Sequence, residues 1–197
     1  MQSSEAARRQ YLDAMGITLW ERRAAAAPGI PGPAVAPGPV APAAGTGPAW
    51  IALEEAVRSC TKCSLHATRT QTVFGVGNRR AQWMFVGEAP GADEDRQGEP
   101  FVGAAGKLLN AMLTALGLKR EEVFIANVLK CRPPNNRDPQ ANEVEQCEPY
   151  LIRQIELIQP KLIVALGRHA AHSLLKTDLA LARLRGPAVE LWFADGA

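Results

Sequence analysis

Between residues 50 and 190 the apolar positions follow two rhythms that take turns along the chain. Trp83-Met84-Phe85-Val86, Val123 to Leu129 and Leu162 to Leu166 are short, largely apolar runs. Such runs are expected of strands buried on both faces. Between and around them the spacing turns helical. Ile51 to Val57 predicts a helix that ends at a first cysteine pair, and Ala105, Leu109, Met112, Leu113 and Leu116 fall on one helical face with Gly117 as its stop. Asp138-Pro139 predicts an N-cap with proline at the first helical position, and Val144, Cys147, Leu151, Ile155 and Ile158 line the inner face beyond it. A further helix is expected over Arg168 to Lys176 and a fourth strand over Ala188 to Trp192. Strands alternating with helices predict an α/β fold, a three-layer α/β/α sandwich around a mainly parallel four-stranded sheet. In such folds ligands bind where loops leave the carboxyl ends of strands, so the loops after Val86 and Leu129 are where chemistry is expected.

Ahead of this domain the composition changes. Residues 24–49 hold 10 Ala, 7 Pro and 5 Gly and no charged or aromatic residue. A run like this buries too little apolar surface to offset its ordering entropy, and its prolines favour extended, solvated conformers. It reads as a flexible linker between an N-terminal amphipathic segment (1–23) and the folded domain (50–197). In the first segment Tyr11, Leu12, Met15, Leu19 and Trp20 stand at roughly helical spacing, suited to docking on a protein partner.

Charge narrows the class further. With 22 Lys+Arg against 20 Asp+Glu the net charge is +2, which excludes a histone-like polycation but leaves room for a local basic surface. No apolar run nears the ~18 residues of a membrane span, and the start MQSSEAARRQ carries no apolar signal core. The expected setting is a reducing cytoplasm, with no membrane partner, where four cysteines point to metal or redox chemistry before disulfides.

The cysteine spacing is Cys60-x2-Cys63, a gap of 67 residues, then Cys131-x15-Cys147. Two adjacent and two distant thiolates can staple the start of the domain to its middle, and soft thiolates select zinc or an iron–sulfur cluster. The second pair is too widely split for a zinc ribbon, and the ferredoxin spacing is absent. Spacing leaves both metals open, beside four buried thiols that never meet.

The loop after the first strand, Gly87-Glu88-Ala89-Pro90-Gly91, continues into Asp93-Glu94-Asp95 and Gly98-Glu99-Pro100-Phe101-Val102-Gly103. It is neither a Walker A loop nor GxGxxG. Four acidic groups within residues 88–95 would repel a phosphate backbone unless they hold a water, a cation or a developing positive charge. A solvated acidic turn accounts equally well for Asp93 and Asp95, and less well for Glu88 at the strand end. Phe101, outside any core period, suits stacking on a base or packing beneath its loop. Asn127 is a polar residue inside the run FIANVL, able to read a base edge or to satisfy neighbouring backbone. Lys130, Arg132 and Arg137 surround Pro133-Pro134-Asn135-Asn136, a basic patch suited to backbone phosphates. His66, His169 and His172 read as structural or solvent-exposed.

Taken together, these segments resemble the family 4 uracil-DNA glycosylases, the iron–sulfur branch of their superfamily. The resemblance runs through Cys60-Thr-Lys-Cys63, Val73-Phe-Gly-Val-Gly77, Gly87-Glu-Ala-Pro-Gly91 with Glu94-Asp95, and Pro100-Phe-Val-Gly103. It continues through Asn127-Val-Leu-Lys-Cys-Arg-Pro-Pro134, Cys147 and Leu162-Ile-Val-Ala-Leu-Gly167. Each piece alone is weak; their order and spacing are specific.

The resemblance implies a [4Fe–4S] cluster on Cys60, Cys63, Cys131 and Cys147. It implies a uracil pocket floored by Glu88, Ala89 and Pro90, with Phe101 stacking on the flipped base and Asn127 bonding its edge. Glu88 is the expected stabiliser of the sugar cation or of the attacking water, and Glu94 the expected wall against the C5 methyl of thymine. The implied substrate is uracil in single- and double-stranded DNA, excised by a monomer as the first step of base-excision repair. One departure stands out: the family places a His-Pro-x-x-Leu-Leu-Arg motif downstream, and this sequence ends at Ala197 without it. Slower chemistry than in the relatives is the consequence expected. The alternatives are a non-catalytic iron–sulfur DNA-binding protein or inactive fragment, and a zinc-stabilised α/β domain.

Overall fold

The computed structural model describes residues 47–184. The N-terminal segment, nearly all of the linker and the strand expected over 188–192 lie outside the described residues. Helix α1 (Pro48–Arg58) opens with proline at its first position, where φ is preset and no N–H is needed. Helix α1 thus starts two residues before Trp50. Its buried stripe is Trp50, Leu53 and Val57. Trp50 anchors the domain, meeting Phe74 and Phe124 edge-on at centroid distances of 5.4 and 5.6 Å.

The sheet comprises β1 (Val76–Gly77), β2 (Trp83–Gly87), β3 (Phe124–Asn127) and β4 (Leu162–Ala165), in the order β1-β3-β2-β4. β3, β2 and β4 are mutually parallel and β1 joins β3 antiparallel. The mainly parallel four-stranded sheet is as expected, but its fourth described strand is the two-residue β1. The parallel register sets Gly87 directly beside Asn127 at the carboxyl ends of β2 and β3.

Alternation of side chains divides the core into two faces. Met84, Val86, Phe124 and Ala126 pack beneath α1, α4 (Ala141–Ile158) and α5 (Arg168–Leu175), through Leu151, Ile155, Ile158, Ala170 and Leu174. Phe85 and Ile125 face the other way, onto Leu109 and Leu113 of α3 (Ala104–Ala115). Helices cover both faces, which is the expected three-layer arrangement. The chain also forms α2 (Ala92–Gln97) after β2 and a last short helix, α6 (Leu181–Leu184). No helix among the described residues is long and apolar enough to cross a membrane.

Helix α4 begins later than expected. Its N-cap is Gln140, not Asp138, and the Glu143 carboxylate reaches back to the Gln140 N–H at 2.9 Å. Asp138 is free of that duty because its carboxylate turns to Arg168 and His169.

Candidate functional site

The four acids after β2 separate into distinct roles. Asp93 pairs with Arg96 on the surface. Asp95 is buried, and both its oxygens accept from the Thr70 N–H at 2.9 and 3.1 Å, tying α2 to the segment that follows the first cysteine pair. Glu94 accepts from Gly91 N at 3.1 Å, Val102 N at 2.9 Å and Gly103 N at 3.0 Å, so one carboxylate bridges the Gly87–Gly91 and Pro100–Gly103 loops. Both oxygens of Glu94 are therefore committed to backbone. Of the four carboxylates only that of Glu88 accepts no hydrogen bond within the described residues, and it is partly exposed at the strand end.

Beside it Gly87, Phe101 and Asn127 converge. A Cβ on Gly87 would stand 2.5 Å from both Asn127 Oδ1 and Phe101 Cζ, so only glycine lets these two side chains approach the strand end so closely. Asn127 is 2% exposed, and its Oδ1 is buried without a hydrogen-bond partner. An orphaned buried acceptor is costly, on the order of 1–3 kcal/mol, and marks a site where a partner is missing. Phe101 holds φ at 54°, an uncommon backbone state for an aromatic residue and one that clusters at functional sites. Its carbonyl presses so close to α3 that a Cβ on Gly106 would come within 1.8 Å of it. Arg120 donates to the Pro100 carbonyl from behind. Phe101 is thus aimed from three directions: by Glu94, Gly106 and Arg120.

Around Glu88 stands a cluster whose members are far apart in the sequence. His169 Nε2 lies 3.7 Å from Glu88 Oε2 and 3.4 Å from Asp138 Oδ2, and Arg168 Nη2 reaches Asp138 at 3.0 Å. His169, expected to be structural or exposed, is half-buried beside Glu88. The signal for it in the sequence is position, since Gly167-Arg168-His169 follows β4 at its carboxyl end.

The basic trio is also redistributed. Lys130 is 1% exposed, and its Nζ donates to Asn127 O at 2.8 Å and Gln154 Oε1 at 2.7 Å, so it is withdrawn from any phosphate. Burial pulls its pKa down to about 8, opposed by the neighbouring Cys147. Arg137 grips Glu143 with both Nη atoms, at 2.9 and 2.6 Å. This holds the Glu143 carboxyl below the usual carboxylate range. Arg132 is half-buried and is steadied by Asn136 Oδ1 at 2.7 Å. The Asn135 and Asn136 backbones are left-handed, at φ 55° and 53°, a state asparagine tolerates well.

The four cysteines line one small cavity together with Val57, Lys130 and Tyr150. Two sulfurs already accept hydrogen bonds, Cys131 from Arg69 Nη1 and Cys147 from Lys130 N, each at 3.1 Å. Burial pushes the Cys147 thiol up to about 12 and raises Cys131 as well. Bare thiolates are thus disfavoured here, and only a bound metal centre would reverse that by deprotonating them. Four soft sulfur donors on one cavity wall are a set suited to zinc or to an iron–sulfur core.

Comparison with known proteins points the same way. The family model for the Uracil DNA glycosylase superfamily matches residues 74–193. The chain is 56% identical over 147 residues to the Type-4 uracil-DNA glycosylase of Archaeoglobus fulgidus, a match covering 71% of this chain and 74% of that protein. It is 60% identical over 119 residues to the protein of that name from Sulfurisphaera tokodaii, covering 60% of this chain and 54% of the relative. For the one from Saccharolobus solfataricus the values are 54% over 125 residues, 63% and 58%. The chain therefore spans a little over half the length of the latter two. It belongs to the uracil DNA glycosylase superfamily. All three relatives carry the type-4 name, in agreement with the branch its motifs resemble.

Proposed function

We propose that the chain is a uracil-DNA glycosylase that hydrolyses the N-glycosidic bond of an extruded deoxyuridine, in single- and double-stranded DNA, to begin base-excision repair. The observation that carries this reading is the partnerless, buried Asn127 Oδ1 set beside Phe101, both close against Gly87. A planar base inserted there would stack on Phe101 and satisfy the Asn127 amide. Uracil offers O4 and N3–H on that edge, whereas cytosine offers N4–H₂ and a bare N3. One fixed amide orientation therefore favours one base and leaves buried groups unpaired against the other.

Cleavage breaks the C1′–N1 bond and forms a C1′–O bond from water, while the base leaves as an anion that later takes a proton. Positive charge grows on the sugar as the bond lengthens. Glu88, whose carboxylate is bound neither to backbone nor to an arginine, is the residue suited to stabilise it or to orient the water. Backbone around Ala89 and Pro90 completes the base's surroundings, and Arg132 is the member of the basic trio suited to a flanking phosphate. Cys60, Cys63, Cys131 and Cys147 would hold a [4Fe–4S] cluster. Such a cluster, when bound, supplies a rigid tie between α1, the loop after β3 and α4, and hydrolysis asks no electron of it. The reading takes the protein as a cytoplasmic monomer.

The test is base release. Free uracil and alkali-labile sites produced from a single-stranded oligonucleotide by iron-loaded protein support the proposal. Protein that holds the DNA without producing abasic sites would be a binding module instead.

A further inference from the structure

Lys130 poses a problem of charge. A buried ammonium is costly unless an anion offsets it. Yet the groups that receive its Nζ are neutral, the Asn127 carbonyl and the Gln154 side-chain oxygen, and no carboxylate among the described residues pairs with it. Gln154 itself donates to Phe74 O at 2.9 Å, so the pocket is rigid. What lies beside Lys130 is the cysteine cavity, which it lines, and its own N–H donates to Cys147 Sγ at 3.1 Å. A cluster bound by four thiolates is a net anion, because the thiolates outweigh the charge of its core.

The same residue is joined to the base pocket. Leu129 N donates to Glu88 O at 3.0 Å and Val128 N to Gly87 O at 2.9 Å, so residues 127–130 carry the pocket floor on their backbone. The Lys130 side chain then folds back to cap Asn127 O, closing that segment into a single unit.

Resting on the iron–sulfur reading above, we propose that Lys130 is a positioning residue that couples the two sites: its ammonium is the built-in counter-cation of the thiolate cluster, and its grip on Asn127 O sets the geometry of the pocket. The cluster thereby acts on base selection through charge and a hydrogen-bonded segment, without touching the base.

The experiment uses the full chain purified without oxygen, as wild type, Lys130→Met and Lys130→Arg. Two quantities are read: the rate of iron release to a chelator, and single-turnover uracil excision at matched iron content. Lys130→Met is expected to release iron roughly 10-fold faster and to excise roughly 10-fold slower, the scale on which partners of metal ligands act. Lys130→Arg keeps the charge but not the fit to Asn127 O, so iron is retained while excision still falls. A Met variant that holds iron like wild type overturns the counter-cation role. Excision equal to wild type in either variant overturns the coupling. If the Met variant does not fold, the Arg variant still decides the coupling, and a wild-type rate of iron loss from it is required by the charge argument. A wild type that releases no uracil would refute the glycosylase reading, and the iron measurement would still decide the role of the charge.

Discussion

Replacing Glu94 separates the role read from its contacts from the role expected of it as a wall in the pocket. In the structure its carboxylate accepts three backbone N–H bonds, from Gly91, Val102 and Gly103. A hydrogen bond to a charged group contributes about 1.5–3 kcal/mol. The loops are half-exposed, so water can reach the freed donors, and about 1 kcal/mol for each is the fair figure. Glu94→Ala should then lose about 3 kcal/mol, and Glu94→Gln, which can keep one oxygen on Val102 and Gly103 and loses only the bond to Gly91, about 1 kcal/mol. At about 2–4 °C per kcal/mol for a domain of this size, the Ala variant should melt about 6–12 °C lower and the Gln variant about 2–4 °C lower. Excision of uracil should fall in the same order, since Phe101 loses one of the groups that aim it. Thermal denaturation of iron-loaded protein and single-turnover excision of uracil and thymine provide the readouts. A Gln variant that melts like wild type and gains thymine excision would refute the bridging role and restore the wall. An Ala variant with unchanged melting and unchanged uracil excision would refute both.

Other perturbations probe the same geometry. Asn127→Asp should lower the uracil-over-cytosine ratio by about 10²-fold; an unchanged ratio in paired oligonucleotide assays would remove Asn127 from base recognition. Gly87→Ala places a methyl 2.5 Å from Asn127 Oδ1 and Phe101 Cζ, so excision should drop by about 10²-fold while DNA affinity is kept, and normal excision would mean that the base sits elsewhere. The Glu143 carboxyl titrates lower when folded than its ordinary value of 4.5 because Arg137 bonds it. It therefore adds stability at every pH above that value, and the contribution is lost as pH falls through the lower, folded pKa. Glu143→Gln should be less stable than wild type at neutral pH and should flatten the stability curve below 4.5; an unchanged acid limb would show that the pair contributes nothing.

Most of the scaffold is legible from periodicity. β2, β3, β4, α3 and α5 begin and end within two residues of the expected limits, because apolar runs and helical stripes report burial directly. The two-residue β1 leaves no such pattern, and Asp138-Pro139 carries a cap signal that tertiary contact with Arg168 and His169 overrides. At the site, Asn127 stands out as a polar residue in an apolar strand, and Phe101 as an aromatic in a loop of glycine and proline. The contacts of Lys130 and Glu94 cannot be read from sequence. A lysine just past a strand reads as surface, and its burial depends on Gln154 and Cys147, 24 and 17 residues away. Glu94 reads as one acid among four until the loop at Val102 folds back onto it. His169 is hidden for a similar reason, since its neighbours Glu88 and Asp138 come from two other loops.

The most direct measurement of the central claim compares three single-stranded oligonucleotides of one sequence, with uracil, cytosine or thymine at one position, incubated with the iron-loaded chain. Released base is quantified together with alkali-labile sites. The pocket of Gly87, Phe101 and Asn127, with Glu88 facing the sugar, predicts release from the uracil strand and none from the other two. Release of all three bases alike, or of none by protein that retains its iron, would contradict it.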